Sequence, residues 1–383
     1  MQREVSPHTG NSTRACSFDG TERTMVTTQL PRTHRQHTAT TRYNIDGQEA
    51  QEEENMKKQP TIDIHQHFIP EAYFDAVRSD PEAFGATLDG QHFRLRSGLR
   101  VRWDPRHRDP RLRIKDMDAA RVDIAAISIL PPLFSYGEPP AVGRRICTII
   151  NDALAQIVRD HSGRLIAMGH VPLQDVDAAI KELEARRFAA VQIGSNVNAR
   201  SLDDPALLPF FKAAERLGTF IFVHPTVADL IGADRLQQYY LRNFIGNVTD
   251  TAVAIASLFF GGVLDACPKL KICFAHGGGT APYIWGRWQH GQGVRREAKV
   301  RTTTPVSALR QRIYLDSLTH SVSALRFLIG EVGAGHVLLG SDYPADMGDE
   351  GQVAAIEKLG LSNEAVESIL GGTAASLLGI SDR

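Results

Sequence analysis

Short apolar runs rich in β-branched residues alternate with longer stretches of helical periodicity from residue 61 to the end of the chain. A bounded run of four to eight such residues predicts a buried strand, whereas apolar residues at three- and four-residue spacing predict a helix. Eight runs fit the strand pattern: residues 61–65, 124–130, 165–171, 189–194, 219–224, 271–276, 312–317 and 336–342. Eight buried strands joined by helical crossovers indicate an α/β fold of the (β/α)8 TIM-barrel type.

The helices between these strands carry their own end signals. Apolar residues at helical spacing occur in residues 144–161, 175–187, 203–218, 249–268 and 321–333. Asp175 is suited to cap the start of the second of these helices, and Gly218 is suited to end the third. An open doubly wound sheet is the alternative architecture. It is disfavoured because no GxGxxG motif follows the first strand.

Two segments depart from this repeat. Residues 1–56 are rich in Thr, Arg, Gln, His and Glu and lack hydrophobic periodicity, so we predict a disordered extension before a barrel domain over residues 57–383. An insertion over about residues 70–115 separates the first two strands and carries eight arginines between Arg94 and Arg113. Most of these arginines are expected on a solvated surface. One or two could bind an anionic substrate at the barrel mouth, because a guanidinium group matches a carboxylate bidentately.

Composition limits the function classes. The 383 residues carry a formal net charge of −1 and are 42% hydrophobic and 23% charged, as is typical of a soluble globular protein. This charge balance predicts neither a nucleic acid nor a membrane surface as partner, and no continuous apolar run has the ~18 residues of a spanning helix. The first residues show no apolar signal segment, and the four cysteines show no CxxC pairing. We therefore expect reduced thiols and a cytoplasmic location.

Side chains that bind metals fall at the carboxyl ends of four predicted strands. His65 and His67 lie two positions apart at the end of the first strand, so they point to the same face. His224, His276 and Asp342 end the fifth, sixth and eighth strands. The carboxyl ends of barrel strands form the active face, and imidazole with carboxylate suits Zn²⁺ and similar divalent cations. One such histidine alone is more often structural, but five of these residues at one rim predict a metal site.

Longer motifs surround these residues. The chain contains, in this order, TIDIHQHFIP, HVPLQD, VQIG, FVHP, KICFAHGGG, GRWQHG and GSDYP. The sequence between these motifs includes further matching segments such as RIKDMDAARVDIAAIS. Together they resemble the amidohydrolase superfamily, and more narrowly its decarboxylase branch, typified by 2-amino-3-carboxymuconate-6-semialdehyde decarboxylase. The resemblance implies that His65, His67, His224 and Asp342 bind the metal. It implies that His276 is the catalytic acid–base residue beside the metal, with Asp342 as the alternative proton carrier.

The resemblance also implies substrate-binding residues. Arg287 matches an arginine that reaches across a subunit interface to a substrate carboxylate, so a homodimer is expected. A second arginine belongs to the insertion, where a length difference leaves Arg100 as the better match and Arg94 as the alternative. Two further candidates come from their positions in the chain and not from the resemblance: Phe134, in LFSYGEP, is expected to line the pocket or to pack its own loop, and His320, after the seventh strand, could contact the substrate.

Two departures refine the expected chemistry. The fourth strand reads AAVQIG and lacks the lysine that binuclear amidohydrolases carry there, which favours one divalent metal ion, Zn²⁺ first and Mn²⁺ as the alternative. HPTVADL replaces the family's usual HPWDM, and Asn196 replaces a usual histidine, so the exact carboxylate substrate stays open. We expect a metal-dependent nonoxidative decarboxylase of a small conjugated or aromatic carboxylic acid. A metal-dependent hydrolase or hydratase on the same scaffold is the alternative.

Overall fold

Eight parallel strands form one closed sheet in the structure, a computed structural model that describes residues 59–380. The strands are β1 (Ile62–Phe68), β2 (Ile124–Ile129), β3 (Leu165–His170), β4 (Ala190–Gly194), β5 (Phe220–His224), β6 (Ile272–Phe274), β7 (Tyr314–Asp316) and β8 (Val337–Leu338). Each pairs in parallel with the next along the chain. Ile64 N donates to Leu339 O at 2.9 Å, which joins the last strand to the first. The predicted (β/α)8 barrel is confirmed, because an open sheet would leave these two strands unjoined.

Thirteen α-helices lie among the described residues, most of them between strands. They are α1 (Glu71–Ser79), α2 (Pro110–Ala120), α3 (Pro140–Asp160), α4 (Val176–Arg186), α5 (Leu208–Leu217), α6 (Val248–Phe260), α7 (Val263–Ala266), α8 (Ala281–Val294), α9 (Val306–Leu309), α10 (Val322–Val332), α11 (Gln352–Glu357), α12 (Asn363–Glu367) and α13 (Thr373–Leu378). At the start of α4, the Asp175 carboxylate accepts a hydrogen bond from Ala178 N at 3.1 Å. Gly218 ends α5 with a φ of 71°. Both end signals are therefore confirmed.

The insertion between β1 and β2 is a small structure packed on the barrel. It holds α1, a three-stranded antiparallel sheet (Ala86–Asp89, His92–Leu95 and Arg100–Arg102) and the start of α2. Phe93 anchors this sheet, since its buried ring lies 4.9 Å from that of Phe74 in α1. The predicted insertion is confirmed. The predicted disorder of residues 1–56 falls outside the described residues.

The core consists of the barrel strands and the inner faces of the helices. β1, β4, β5, β6 and β8 are buried at every position. Among residues 59–380, one helical stretch, Arg242–Phe260, has the length and composition of a membrane-spanning helix, and half of it is buried in the protein. Its residues Ile255, Leu258 and Phe259 are fully buried in the core, which is the position of a core helix in a globular domain.

Candidate metal centre

Four side chains from three parts of the chain meet at the carboxyl rim of the barrel. His65 lies at the middle of β1 and His67 near its end, His224 ends β5, and Asp342 follows β8. Each offers one ligand atom, and these atoms all lie within 4.8 Å of one another. All four residues are at most 6% exposed. The structure thus brings together the predicted ligand set.

The ring hydrogen bonds of the three histidines leave the same nitrogen free on each. His65 Nδ1 lies 2.7 Å from the Asp316 carboxylate, and His224 Nδ1 lies 2.9 Å from its neighbouring carbonyl of Pro225. His67 Nδ1 lies 3.3 Å from the Ser128 hydroxyl, which already donates its proton to a backbone carbonyl. These partners are acceptors, so each ring carries its proton on Nδ1 and presents the Nε2 lone pair.

The free Nε2 atoms fit a cation. Within the described chain the Nε2 atoms of His65, His67 and His224 are buried without a hydrogen-bond partner, which is costly unless a ligand occupies the space between them. The Asp342 Oδ1 atom lies 3.3 Å from His65 Nε2 and 2.9 Å from His67 Nε2. Three nitrogens and one carboxylate oxygen around one point form the donor set that borderline divalent metals prefer. The residues therefore form a divalent metal site.

Electrostatics keeps most of this donor set in the form that binds metals. Burial lowers the pKa of both His67 and His224, so these imidazoles stay neutral. Burial raises the pKa of Asp342, but its attraction to His65 and its close contacts with the imidazoles of His276 and His67 outweigh this effect and hold that pKa well below its usual range. Burial lowers the pKa of His65, but the carboxylates of Asp342 and Asp316 outweigh it and raise that pKa to about 10. A proton and a divalent cation therefore compete for His65.

His276 stands beside the ligand set without belonging to it. Its Nε2 atom lies 3.6 Å from the second oxygen of Asp342, and its ring centroid lies 4.9 Å from that of His224. Its side chain is 14% exposed, so it borders both the metal site and the space outside it. The amide of Gly277 donates to the Asp316 carboxylate at 2.7 Å. Asp316 therefore fixes both the ligand His65 and the backbone that carries His276.

The glycines after His276 allow a close approach of two backbone segments. Gly279 has a φ of 62°, and a β-carbon on it would lie 2.0 Å from the carbonyl oxygen of Val248 in α6. An L side chain could not be accommodated there without moving α6. The GGG sequence thus serves the packing that seats the His276 loop.

Two cavities adjoin the rim. His276 and His320 line a cavity of about 420 Å³, whose walls also include Phe244, Tyr283 and Phe327. His320 thus shares a cavity with His276, and its contact with the substrate stays a prediction.

Phe134 borders the other cavity, of about 480 Å³, together with Arg96, Asn196 and Thr226. The Phe134 ring also stacks on His170 at 5.7 Å, so it both lines this cavity and packs its loop. The Asn196 amide donates to the hydroxyl of Thr226 at 2.9 Å, so at this departure from the family pattern the side chain is held within the cavity wall.

The predicted arginines lie outside both cavities. Arg94 donates to Asp89 at 2.8 Å, and Arg100 lies 3.6 Å from the same carboxylate, on the exposed insertion sheet. Arg287 is exposed on α8. The substrate roles of these three residues stay predictions. Arg96, which borders the 480 Å³ cavity, is an insertion arginine that the sequence pattern does not single out.

Ser128, the residue that orients His67, is not among those that the sequence pattern singles out. Ser128 is a lone polar residue in the otherwise apolar β2, IAAISI. That isolated polarity inside a buried strand is the signal that could have identified it, because a buried hydroxyl requires hydrogen-bond partners.

Comparison with known proteins agrees with this geometry. A family model described as Amidohydrolase matches residues 62–380. The 2-amino-3-carboxymuconate-6-semialdehyde decarboxylase of Dictyostelium discoideum is 35% identical over 334 residues, which cover 83% of this chain and 91% of that protein.

Solved structures share the fold. The 5-carboxyvanillate decarboxylase from Sphingomonas paucimobilis matches with a TM-score of 0.74 at 23% identity, over 84% of this chain and 100% of that one. The 5-carboxyvanillate decarboxylase from Novosphingobium aromaticivorans, complexed with manganese and 4-hydroxy-3-methoxy-5-nitrobenzoic acid, matches with a TM-score of 0.70 at 22% identity, over 85% of this chain and 97% of that one. From the family match and the Dictyostelium relative, the chain belongs to the amidohydrolase family, in its decarboxylase branch related to 2-amino-3-carboxymuconate-6-semialdehyde decarboxylase.

Proposed function

We propose that this protein is a metal-dependent nonoxidative decarboxylase that converts a small conjugated or aromatic carboxylate and one proton into CO2 and the protonated product. The observation that carries the proposal is a complete divalent metal site with His276 at its edge, 3.6 Å from Asp342 and facing the 420 Å³ cavity. The relationship to 2-amino-3-carboxymuconate-6-semialdehyde decarboxylase supports the same reaction type.

The chain's residues divide the work of the reaction. When bound, a divalent cation supplies positive charge that stabilises the electrons left on the substrate as CO2 departs. His276 holds a proton at Nε2, 3.6 Å from Asp342, and delivers it to the carbon that loses the carboxyl group. Asp342 lies against that Nε2 atom and orients the imidazole, or carries the proton itself. Apolar and aromatic side chains in the cavity wall offer a surface against which a flat substrate packs.

The metal is proposed to be Zn²⁺, with Mn²⁺ as the alternative. Three imidazole nitrogens and one carboxylate form a four-residue set that suits Zn²⁺. Imidazole and carboxylate also accommodate Mn²⁺, and manganese is the metal in the Novosphingobium structure. Elemental analysis of the purified protein decides between them.

The reaction is tested with the metal-loaded protein and a panel of small conjugated and aromatic carboxylic acids. Release of CO2 in step with substrate loss is expected for at least one acid. A hydrolase or hydratase on the same scaffold would consume its substrate and release protons without CO2, and that result would replace the proposal. The matched variants are His224→Ala, which removes a ligand and should lose metal and activity together, and His170→Gln, which should keep both.

We also propose that the working form is a homodimer in which Arg287 enters the partner's substrate site. Arg287 is exposed on α8, the helix that also carries Tyr283. Tyr283 borders the 420 Å³ cavity with two other exposed aromatic residues: Tyr283 is 84% exposed, Phe244 52% and Phe327 44%. An apolar cluster of this kind at the rim of a cavity is typical of an interface. Mixing inactive Arg287→Ala and His276→Ala subunits tests the proposal, since hybrid dimers regain one intact site if Arg287 acts across the interface. Failure to regain activity in proven hybrid dimers would place Arg287 elsewhere.

A further inference from the structure

The seam that closes the barrel carries three of the four metal ligands. His65 and His67 lie on β1, and Asp342 follows β8 on the other side of the seam. The backbone joins the two sides by three hydrogen bonds of 2.8–2.9 Å, two of which involve residues that bind the metal directly: Asp342 N to His65 O and His67 N to Tyr343 O. The spacing of the ligands therefore depends on how this seam is held.

A buried carboxylate crosses the seam behind the ligands. Asp63 is 0% exposed, and its Oδ1 atom accepts hydrogen bonds from His65 N at 2.9 Å and Ser341 N at 3.2 Å. Its Oδ2 atom accepts from Gln66 Nε2 at 2.8 Å and from the Ser341 hydroxyl. Asp63 thus binds the backbone amide of one ligand, His65, and the amide and hydroxyl of Ser341, the residue that precedes another ligand, Asp342.

A buried arginine continues this network. Arg113 is 0% exposed, and its two terminal nitrogens donate to the Gln66 side chain and to the carbonyl oxygen of His67, each at 2.5 Å. Its guanidinium carbon lies 4.7 Å from the ring of Tyr343 and 5.3 Å from that of Phe68. In the described part of the chain no carboxylate forms a direct ion pair with Arg113.

A contribution to folding stability does not by itself account for the buried position of Arg113. A buried guanidinium loses its hydration, and a buried charge without a direct counter-ion is a weak source of folding free energy. Its two shortest hydrogen bonds instead go to acceptors on consecutive residues of β1, Gln66 and His67, and a longer one of 3.3 Å goes to the carbonyl oxygen of Arg106. A lysine has one nitrogen on a flexible stem and could not hold both acceptors in the same geometry.

We propose that Arg113, Gln66 and Asp63 form a positioning network that sets the distance between Asp342 and the two β1 histidines, and thereby the affinity for the metal. Through this network the insertion, which ends in α2 with Arg113, reaches the metal site. Only its consequence for turnover rests on the proposed decarboxylation. The effect on metal affinity does not.

Arg113→Met tests the network on protein stripped of metal. The dissociation constants for Zn²⁺ and Mn²⁺ are measured by competition with a chromophoric chelator, and the unfolding midpoint of the metal-free protein is measured in parallel. We expect metal affinity to fall about 10- to 100-fold, the range found when groups that orient metal ligands are removed. Arg113→Lys should recover part of this loss, and Gln66→Met, which cuts the link from Arg113 to Asp63, should reproduce most of it.

Asp265→Asn is the matched control. The Asp265 carboxylate accepts from the hydroxyls of Thr302 and Thr304 and lies 3.2 Å from Arg312, in a polar network that touches none of the metal ligands. The Asp265→Asn variant should have a lower unfolding midpoint and an unchanged metal affinity. Metal affinity equal to wild type in folded Arg113→Met would overturn the proposal, as would an affinity loss in Asp265→Asn as large as that in Arg113→Met.

If Arg113→Met does not fold, the Arg113→Lys and Gln66→Met variants test the proposal instead. Folded Arg113→Lys and Gln66→Met proteins with wild-type affinity would equally end the proposal. A protein that binds metal as expected but releases no CO2 from any acid would refute the decarboxylation and leave the network standing.

Discussion

Asp316→Asn is the substitution whose effect the structure defines most closely. Asp316 ends β7, is 0% exposed, and uses both carboxylate oxygens. Oδ2 lies 2.7 Å from His65 Nδ1, and Oδ1 accepts from the amides of Gly277 at 2.7 Å and Leu318 at 3.2 Å. One carboxylate therefore orients a metal ligand and also holds the loop of His276, the proposed acid–base residue.

The size of the effect follows from the donors on either side. Asparagine must turn its NH2 group either toward the Nδ1–H of His65 or toward the amide of Gly277, so one donor meets another donor. The variant loses at least one hydrogen bond to a charged acceptor, which contributes about 1.5–3 kcal/mol. At about 1.4 kcal/mol per factor of ten, this corresponds to a loss of about 10- to 150-fold.

Measurements of metal affinity and kcat show which of the two hydrogen bonds, that of His65 or that of Gly277, is lost. If the NH2 group faces His65, metal affinity of the stripped protein falls by this factor, because the imidazole loses the acceptor that fixes its orientation. If the NH2 group faces Gly277, affinity is kept and kcat of the metal-saturated enzyme falls instead. Glu182→Gln is the control, since Glu182 is a half-buried carboxylate on α4 that binds the amide of Asn151, far along the chain from the ligands. Unchanged affinity together with unchanged kcat in Asp316→Asn would refute the assigned role of Asp316.

Three further substitutions separate metal binding, acid stability and loop packing. His276→Ala should retain the metal, because all four ligands remain, and lose about 10²- to 10⁴-fold in kcat; loss of metal in this variant would instead make His276 a ligand. Burial lowers the pKa of His170 to about 4 from 6.5, so the folded state binds fewer protons than the unfolded state and stability falls as the pH drops through this window. In urea unfolding, wild type should therefore lose about 2–3 kcal/mol more than His170→Gln between pH 7 and pH 4.5, and equal losses would contradict a buried neutral imidazole. Gly279→Ala places a β-carbon 2.0 Å from Val248 O at positive φ and should destabilise the fold by at least about 1–3 kcal/mol. Gly330→Ala, in the exposed face of α10 with open space around it, should be neutral or stabilising by up to about 1 kcal/mol, and similar unfolding midpoints for the two variants would show that the close approach at Gly279 is not maintained.

The sequence pattern locates the metal site because strand periodicity carries direct geometric information. His65 and His67 are two positions apart in an apolar run, so a strand assignment alone puts both side chains on one face. Barrel topology then brings strand ends together at one rim, which accounts for His224 and His276. Neither step requires knowledge of which side chains touch.

Strand periodicity does not predict the local geometry of the ligand Asp342. The apolar run predicts strand through residue 342, but β8 ends at Leu338. Asp342 itself has a φ of 57°, which is outside the strand region. Its side chain reaches the metal from a sharply turning segment, and the backbone bonds to β1 that hold this segment come from residues nearly 280 positions away in sequence. The ligand is predictable from its motif, whereas its geometry is not predictable from periodicity.

The insertion arginines show the same limit more clearly. Arg94 and Arg113 belong to one charged stretch, and local composition predicts a solvated surface for both. Arg94 is exposed and pairs with Asp89, whereas Arg113 is fully buried against the backbone of His67. What separates them is the fold of the insertion itself, since α2 places Arg113 behind β1 while the antiparallel sheet leaves Arg94 outside. Such a difference arises from tertiary packing, which no window of local sequence contains.

The position of the ligands gives the cation a structural consequence beyond chemistry. His65 and His67 come from the first strand of the barrel, His224 from the fifth and Asp342 from the segment after the last. A cation held by all four therefore spans the seam at which the chain's first and last strands meet. In the unfolded chain these groups are separated by as many as 277 positions along the sequence, so no site exists there and the free energy of metal binding adds to that of folding. The same residues that place a charge beside His276 thus also hold the two ends of the sheet together.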